Sequence, residues 1–181
     1  MANIYIVKAD NTNIDQVNKM DNRFIVDSKA VLKIEEGQIH YSVKEVPAFI
    51  KKYPERDRQY DYSDYIDNPN RAIYLAYHGD RAVGQIILST SWNNYALIED
   101  IRVDISYRKQ GIGTRLIGYA KEWAKQRGLA GLRLETQNNN IRACRFYESC
   151  GFHIGGFDQI LYKGIQDDTI EVALYYYFLF N

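Results

Sequence analysis

The sequence predicts an α+β fold in which antiparallel strands feed a helix, and three observations carry that prediction. Two apolar runs, Arg71 to Tyr77 and Ala82 to Leu88, flank His78-Gly79-Asp80-Arg81, and Gly79-Asp80 supplies the chemistry of a two-residue hairpin turn. Trp92-Asn93-Asn94 then turns the chain into a third strand, Tyr95–Val103. Beyond it, Ile112, Leu116, Ala120, Trp123 and Ala124 recur on one face of a helix expected over 112–127, with Arg115, Glu122 and Lys125 mostly away from that face.

The remaining elements follow in order. Ile4-Tyr5-Ile6-Val7 reads as a first strand, and Asn13 is placed to cap a short helix from Ile14. Alternating residues 30–34 and 39–43 on either side of Glu35-Glu36-Gly37-Gln38 argue a hairpin or extended arm, with His40 on its surface. Pro47 to Tyr53 is expected to form a helical turn or two. In the segment that follows, Tyr60, Asp61, Tyr62, Asp64, Tyr65 and Asp67 interleave rings with acids. Such a segment either cradles a cation by carboxylate pairing and ring-face attraction or is a solvated connector. After the long helix, closed by Lys125, Arg127 and Gly128, Leu132–Thr136 is a strand ended by Gln137-Asn138-Asn139-Asn140. A second helix, Ile141 to Ser149, stops at Gly151. Phe152-His153-Ile154 starts another strand, and Glu171–Phe180 is the last, its Tyr175-Tyr176-Tyr177 reading as a two-faced strand.

At 181 residues the chain suits one domain with a proper core. Acidic and basic side chains balance at 23 each, so no global field favours nucleic acid or a membrane surface. The two cysteines, Cys144 and Cys150, form neither a disulfide framework nor a metal spacing, and no metal is expected. Met1-Ala2-Asn3-Ile4-Tyr5 lacks the charged-then-apolar pattern of a signal segment, and no apolar run is long enough to span a membrane. A cytoplasmic protein is the expectation.

The most informative stretch is Arg108-Lys109-Gln110-Gly111-Ile112-Gly113-Thr114, a glycine-bearing turn that opens the long helix. Unpaired backbone N–H groups and the helix dipole converge there, which suits a phosphate. A P-loop is excluded because Gly118 is followed by Tyr119 rather than lysine, and a dinucleotide fingerprint because Leu116 stands where its third glycine belongs. The pattern R-x-x-G-x-G does fit, and it resembles the pyrophosphate-binding motif of the GNAT superfamily of acyl-CoA-dependent N-acetyltransferases. A second block, Asn140-x-x-Ala143-x-x-Phe146-Tyr147-x-x-x-Gly151-Phe152, resembles the same superfamily, one helix and one strand further on. Residues 65–68, 92–101 and 134–140 look like streptothricin acetyltransferases, a resemblance that is good from Tyr65 to Asn181 and weak before it.

That resemblance implies the GNAT fold, a central mixed, mostly antiparallel twisted sheet with flanking helices. It implies one domain over 1–181, in which 1–70 form an acceptor-side arm and helices and 71–181 an acetyl-CoA-binding core. Acetyl-CoA is the implied co-substrate. Backbone groups of Ile101, Arg102 and Val103 are expected along the pantetheine arm, and Arg108, Lys109, Gln110, Gly111, Ile112, Gly113 and Thr114 around the pyrophosphate. Asn140 either bonds the pantetheine or caps its helix, Ala143 leaves room for the cofactor, and Tyr147 offers a phenol to the thioester sulfur. The implied acceptor is a small cationic amine, the lysine-type side chain of a streptothricin antibiotic, with resistance as the role. Its candidate contacts are Tyr60, Asp61, Asp64, Tyr65, Asp67, Trp92 and Asp100.

The chemistry constrains the rest. An alkyl ammonium of pKa about 10.4 must lose a proton before it attacks a carbonyl, and a departing thiolate, of pKa about 8.5, gains from a nearby acid. Tyr147 is the candidate acid. On the third strand, strict alternation puts Glu99 with Ile101 and Val103 on one face and Asp100 with Arg102 on the other. Glu99 is the first candidate base, Glu135 on the next strand the second, and water alone the third. A covalent route through Cys144 lacks an adjacent histidine, so direct transfer in a ternary complex is expected. Two alternatives stay open: acetylation of a protein amino terminus or lysine, and a CoA-binding sensor without turnover. An exposed last strand leaves a homodimer open.

Overall fold

The computed structural model describes residues 4–52 and 61–180. In chain order its main elements are β1 (Ile4–Lys8), β2 (Phe24–Glu35), β3 (Gln38–Lys51), β4 (Arg71–His78), β5 (Arg81–Thr90), β6 (Ala96–Val103), α1 (Ile112–Lys125), β7 (Gly131–Gln137), α2 (Ile141–Ser149), β8 (His153–Asp158) and β9 (Ala173–Leu179). They form two compact units, Met1–Arg23 with Lys52–Leu132 and Phe24–Lys51 with Arg133–Asn181. Among the described residues no helix is long and apolar enough to cross a membrane.

In the first unit the strand order is β1-β4-β5-β6, each neighbour antiparallel. The expected hairpin closes at Gly79-Asp80, with His78 opposite Arg81. One face of β4 and β5, carrying Ile73, Leu75, Tyr77 and Ile87, packs on Val17, Met20 and Tyr65 in a buried cluster. The other face receives α1. A Cβ at Gly84 would lie 3.1 Å from Ile112 and 3.3 Å from the Arg102 carbonyl, so glycine there eases the close approach of the helix. Helix α1 ends as expected: the Leu129 amide reaches the Ala124 carbonyl at 3.1 Å and the Gly128 amide the Lys125 carbonyl at 3.0 Å. Asn13 does not cap the 3-10 turn at Ile14–Gln16. Its Oδ1 accepts the Asp10 amide instead, closing the preceding loop.

In the second unit β2 and β3 form a long antiparallel hairpin, and β9 lies between β7 and β8. Two expectations are corrected here. Pro47 and its neighbours are strand, not helix, because β3 pairs as far as Phe24↔Lys51. The register shifts between Val26 and Ser28, which leaves Val46, Pro47 and Ala48 across from Asp27, an irregularity where the missing proline N–H is tolerated. The last strand is not an exposed edge, since β9 has a neighbour on both sides. Buried Asn138 ties the unit together. Its carbonyl accepts the Ala30 amide of β2 at 2.7 Å, and its side-chain oxygen accepts the Val172 amide at 3.0 Å, just before β9.

Candidate active site

The first unit holds an open cleft of about 680 Å³, a size suited to a small molecule. Asp64 and Glu99 supply its carboxylates and Arg71 its cation, while Ser89, Thr90, Ser91, Asn68 and Asn70 give hydroxyl and amide walls. Trp92 stands at the cleft with its side chain 93% exposed, a large aromatic surface in water. The Arg71 guanidinium lies 3.6 Å from Asp64 and 5.2 Å from the centre of the Tyr65 ring. Among the described residues, two acids against one base leave the lining net negative.

Glu99 reaches the cleft through a break in β6. Ile87 pairs with Asp100 and Leu88 with Ile98, so Glu99 is the extra residue of a β-bulge. The bulge overturns the simple alternation expected for this strand. Ile101 and Val103 lie opposite Ile86 and Gly84, on the face of α1. Glu99 instead turns to Tyr65, whose phenol donates to Oε2 at 2.7 Å, on the side of Asp100. Period-two counting cannot reveal this, because one inserted residue resets the faces.

The other acceptor-side candidates part company. Asp64, Trp92 and Glu99 meet at the cleft. Tyr65 does not face it as a contact surface, being only 2% exposed within the core cluster. Asp100 is held internally, accepting from Arg102 Nε at 2.9 Å and Nη2 at 2.6 Å and from the Gln85 amide. Asp61 is exposed and accepts the Ser63 amide at 2.8 Å, and its hydrogen bonds to Ser63 hold its carboxyl below the usual range. Asp67 takes a left-handed backbone, φ 51°, in the turn after Tyr65 and does not line the cleft. Tyr60 lies outside the described residues. Arg71 and the run Ser89–Ser91 were not singled out from sequence, since an arginine opening a strand and hydroxyls closing one carry no pattern of their own.

The glycine turn also lies in the first unit. Gly111, at φ 79°, precedes α1, and Lys109 is left-handed at φ 61°. The first helical amides, of Ile112, Gly113 and Thr114, have no carbonyl four residues back within the helix. A methyl group at Gly111 would meet no described atom within 4 Å, so the turn is open at that position. Arg108 braces the turn, its Nε donating to the Val103 carbonyl at 3.0 Å and its Nη1 to the Arg23 carbonyl at 2.7 Å. Lys109, Gln110 and Thr114 are exposed around it. This arrangement fits a pyrophosphate.

In the second unit, Asn140 Oδ1 accepts the Ala143 amide at 3.2 Å and caps α2. Tyr147 is 7% exposed, its ring 5.4 Å from Phe146, 6.0 Å from Phe152 and 5.8 Å from Tyr176. Next to it, Glu148 accepts the Tyr41 and Tyr176 phenols, both at 3.1 Å. Cys144 is fully buried and burial pushes its thiol up to about 11, which disfavours the thiolate a covalent route needs. Glu135 is exposed and accepts the Tyr162 phenol at 2.8 Å, a partner with no signal in the sequence.

The chain is similar to known proteins over most of its length. The Acetyltransferase (GNAT) family model matches residues 42–152. The chain is 36% identical over 176 residues to streptothricin acetyltransferase A of Bacillus subtilis (strain 168), covering 97% of this chain and 99% of that protein. It is 36% identical over 157 residues to a streptothricin acetyltransferase of Escherichia coli, covering 87% and 86%. In three dimensions it matches a Bacillus anthracis str. Ames protein, assigned as a streptothricin acetyltransferase and solved with acetyl coenzyme A, at TM-score 0.91 and 42% identity over 99% of each chain.

Proposed function

The chain belongs to the GNAT acetyltransferase family and is an acetyl-CoA-dependent N-acetyltransferase, and we propose that its acceptor is the lysine-type side chain of a streptothricin antibiotic. The observation that carries this reading is the net-negative cleft of small-molecule size with Glu99 at its wall. A cationic amine is drawn to such a lining, and the exposed indole of Trp92 adds a face that attracts cations. The names of the relatives point the same way. Acetylation of protein amines and a non-catalytic sensor are not favoured.

In this reading Arg108 to Thr114 hold the pyrophosphate of acetyl-CoA, the backbone of Ile101 to Val103 follows the pantetheine, and Asn140 and Ala143 are further cofactor contacts. Acetyl-CoA supplies an activated thioester. Glu99 takes the proton of the bound ammonium. The freed nitrogen lone pair attacks the carbonyl, a C–N bond forms and the C–S bond breaks; Tyr147 gives its proton to the departing sulfur, and the second proton shed by the new amide nitrogen restores the phenol. Glu99 is preferred to Glu135 as base because it shares the cleft with Asp64, whereas Glu135 does not line it. The transfer is direct, in a ternary complex.

Incubation with acetyl-CoA and streptothricin, followed by mass spectrometry, tests the reading. One added acetyl group on the antibiotic, located on its lysine-type chain by fragmentation, is the expected product. Unmodified antibiotic with acetyl-CoA intact contradicts it.

A further inference from the structure

We propose that Tyr65 is a positioning residue for the reaction, holding the Glu99 carboxylate in place at the cleft rather than touching the substrate. The proposal rests on the reading of Glu99 as base. The sequence groups Tyr65 with substrate contacts because it sits among exposed acids and tyrosines. The fold separates it from them. Its side chain is buried with Val17, Met20, Ile73 and Ile87, while its phenol emerges only as far as Glu99 Oε2, 2.7 Å away.

The need for such a brace follows from the bulge. Glu99 is the extra residue between two paired positions, so its side-chain direction is not set by the regular pleat of the sheet. A glutamate carboxylate is reached through several rotatable bonds, so its rotamer is a matter of what it bonds to. A charge-assisted hydrogen bond from a buried phenol selects one rotamer.

The donor is itself fixed. Tyr65 closes the 3-10 turn Ser63–Tyr65, the Tyr62 ring lies 5.8 Å away, and the Tyr62 hydroxyl accepts from Asn18 at 2.7 Å. Arg71 covers the Tyr65 ring and reaches Asp64, which lines the cleft. The same short turn therefore places one acid of the cleft directly and the other through a hydrogen bond. Preorganisation of this kind acts on the chemical step more than on cofactor binding.

Steady-state kinetics with streptothricin and acetyl-CoA test this in Tyr65→Phe, Glu99→Gln and the double variant. Tyr65→Phe keeps the ring in the core, and its thermal midpoint shows that the fold is retained. We expect kcat to fall on the order of 10-fold with KM for acetyl-CoA unchanged, and no further loss when Tyr65→Phe is added to Glu99→Gln. Glu99→Asp, which withdraws the carboxylate from the phenol, gives a second background that Tyr65→Phe leaves unchanged. Equal losses in the wild-type and Glu99→Gln backgrounds make Tyr65 merely structural and overturn the proposal alone, as does a Tyr65→Phe enzyme with unchanged kcat. Full turnover in Glu99→Gln, or none in the wild type, overturns instead the reading on which it rests.

Discussion

The side-chain oxygen of Asn140 accepts the backbone amide of Ala143, joining the two ends of an N-x-x-A pattern in one hydrogen bond. This contact closes the first turn of α2, the helix that carries Tyr147. Asn140→Ala should lower stability by about 1 kcal/mol, while Asn140→Asp or Asn140→Ser, which keep a capping oxygen, should lose much less. Urea unfolding of the three variants checks the ranking.

Gly111 occupies the left-handed region at the mouth of α1, where a side chain is strained even though there is room for it. Gly111→Ala should cost about 1 kcal/mol in stability. The strained turn carries the first helical amides, so KM for acetyl-CoA should rise severalfold more than KM for the acceptor. Parallel titrations of the two substrates separate the effects.

Trp92 buries almost nothing in the protein, with 93% of its surface in water. Trp92→Ala should therefore leave the thermal midpoint unchanged. If its indole face holds a cationic acceptor, a contribution of about 0.5–2 kcal/mol disappears from acceptor binding, read as an increased acceptor KM with KM for acetyl-CoA constant.

Burial raises the Cys144 thiol from 9.0 to about 11. The folded state therefore favours the protonated form. Its stabilising contribution is complete below about pH 9 and is lost as pH rises through about 11, amounting to roughly 2–3 kcal/mol. Burial also pushes the neighbouring Tyr176 and Tyr41 phenols upward, adding losses at still higher pH. Denaturation from pH 8 to 11 should show declining stability, with a shallower decline in Cys144→Ala. At pH 8 the native thiol should resist iodoacetamide.

What could be read from the sequence was local. The Gly79-Asp80 hairpin, the amphipathic stripe of α1 and the Asn140 to Gly151 helix all declare themselves within a few residues, and each stands where expected. Asn13 is drawn off its cap by a contact three residues away, but the larger failures share another cause, contacts between distant positions. Pro47 reads as the start of a helical turn until Phe24 to Val26 pair with the residues beyond it. The last strand reads as an edge until β8 and β7 flank it. At the cleft, Glu99 and Trp92 were legible as residue types, but the bulge that turns Glu99 toward Tyr65 depends on its pairing with β5. Tyr65 itself, embedded in a run of acids, gives no local sign of its burial.

The central claim is that this enzyme acetylates a small cationic antibiotic rather than a peptide. Its most direct test is kcat/KM for CoA-thiol release with streptothricin, an aminoglycoside, free lysine and a basic peptide. Streptothricin should exceed every other acceptor by on the order of 100-fold, with kcat sharply reduced in Tyr147→Phe. A peptide that equals or surpasses streptothricin would contradict the claim and make the cleft a protein-acceptor site.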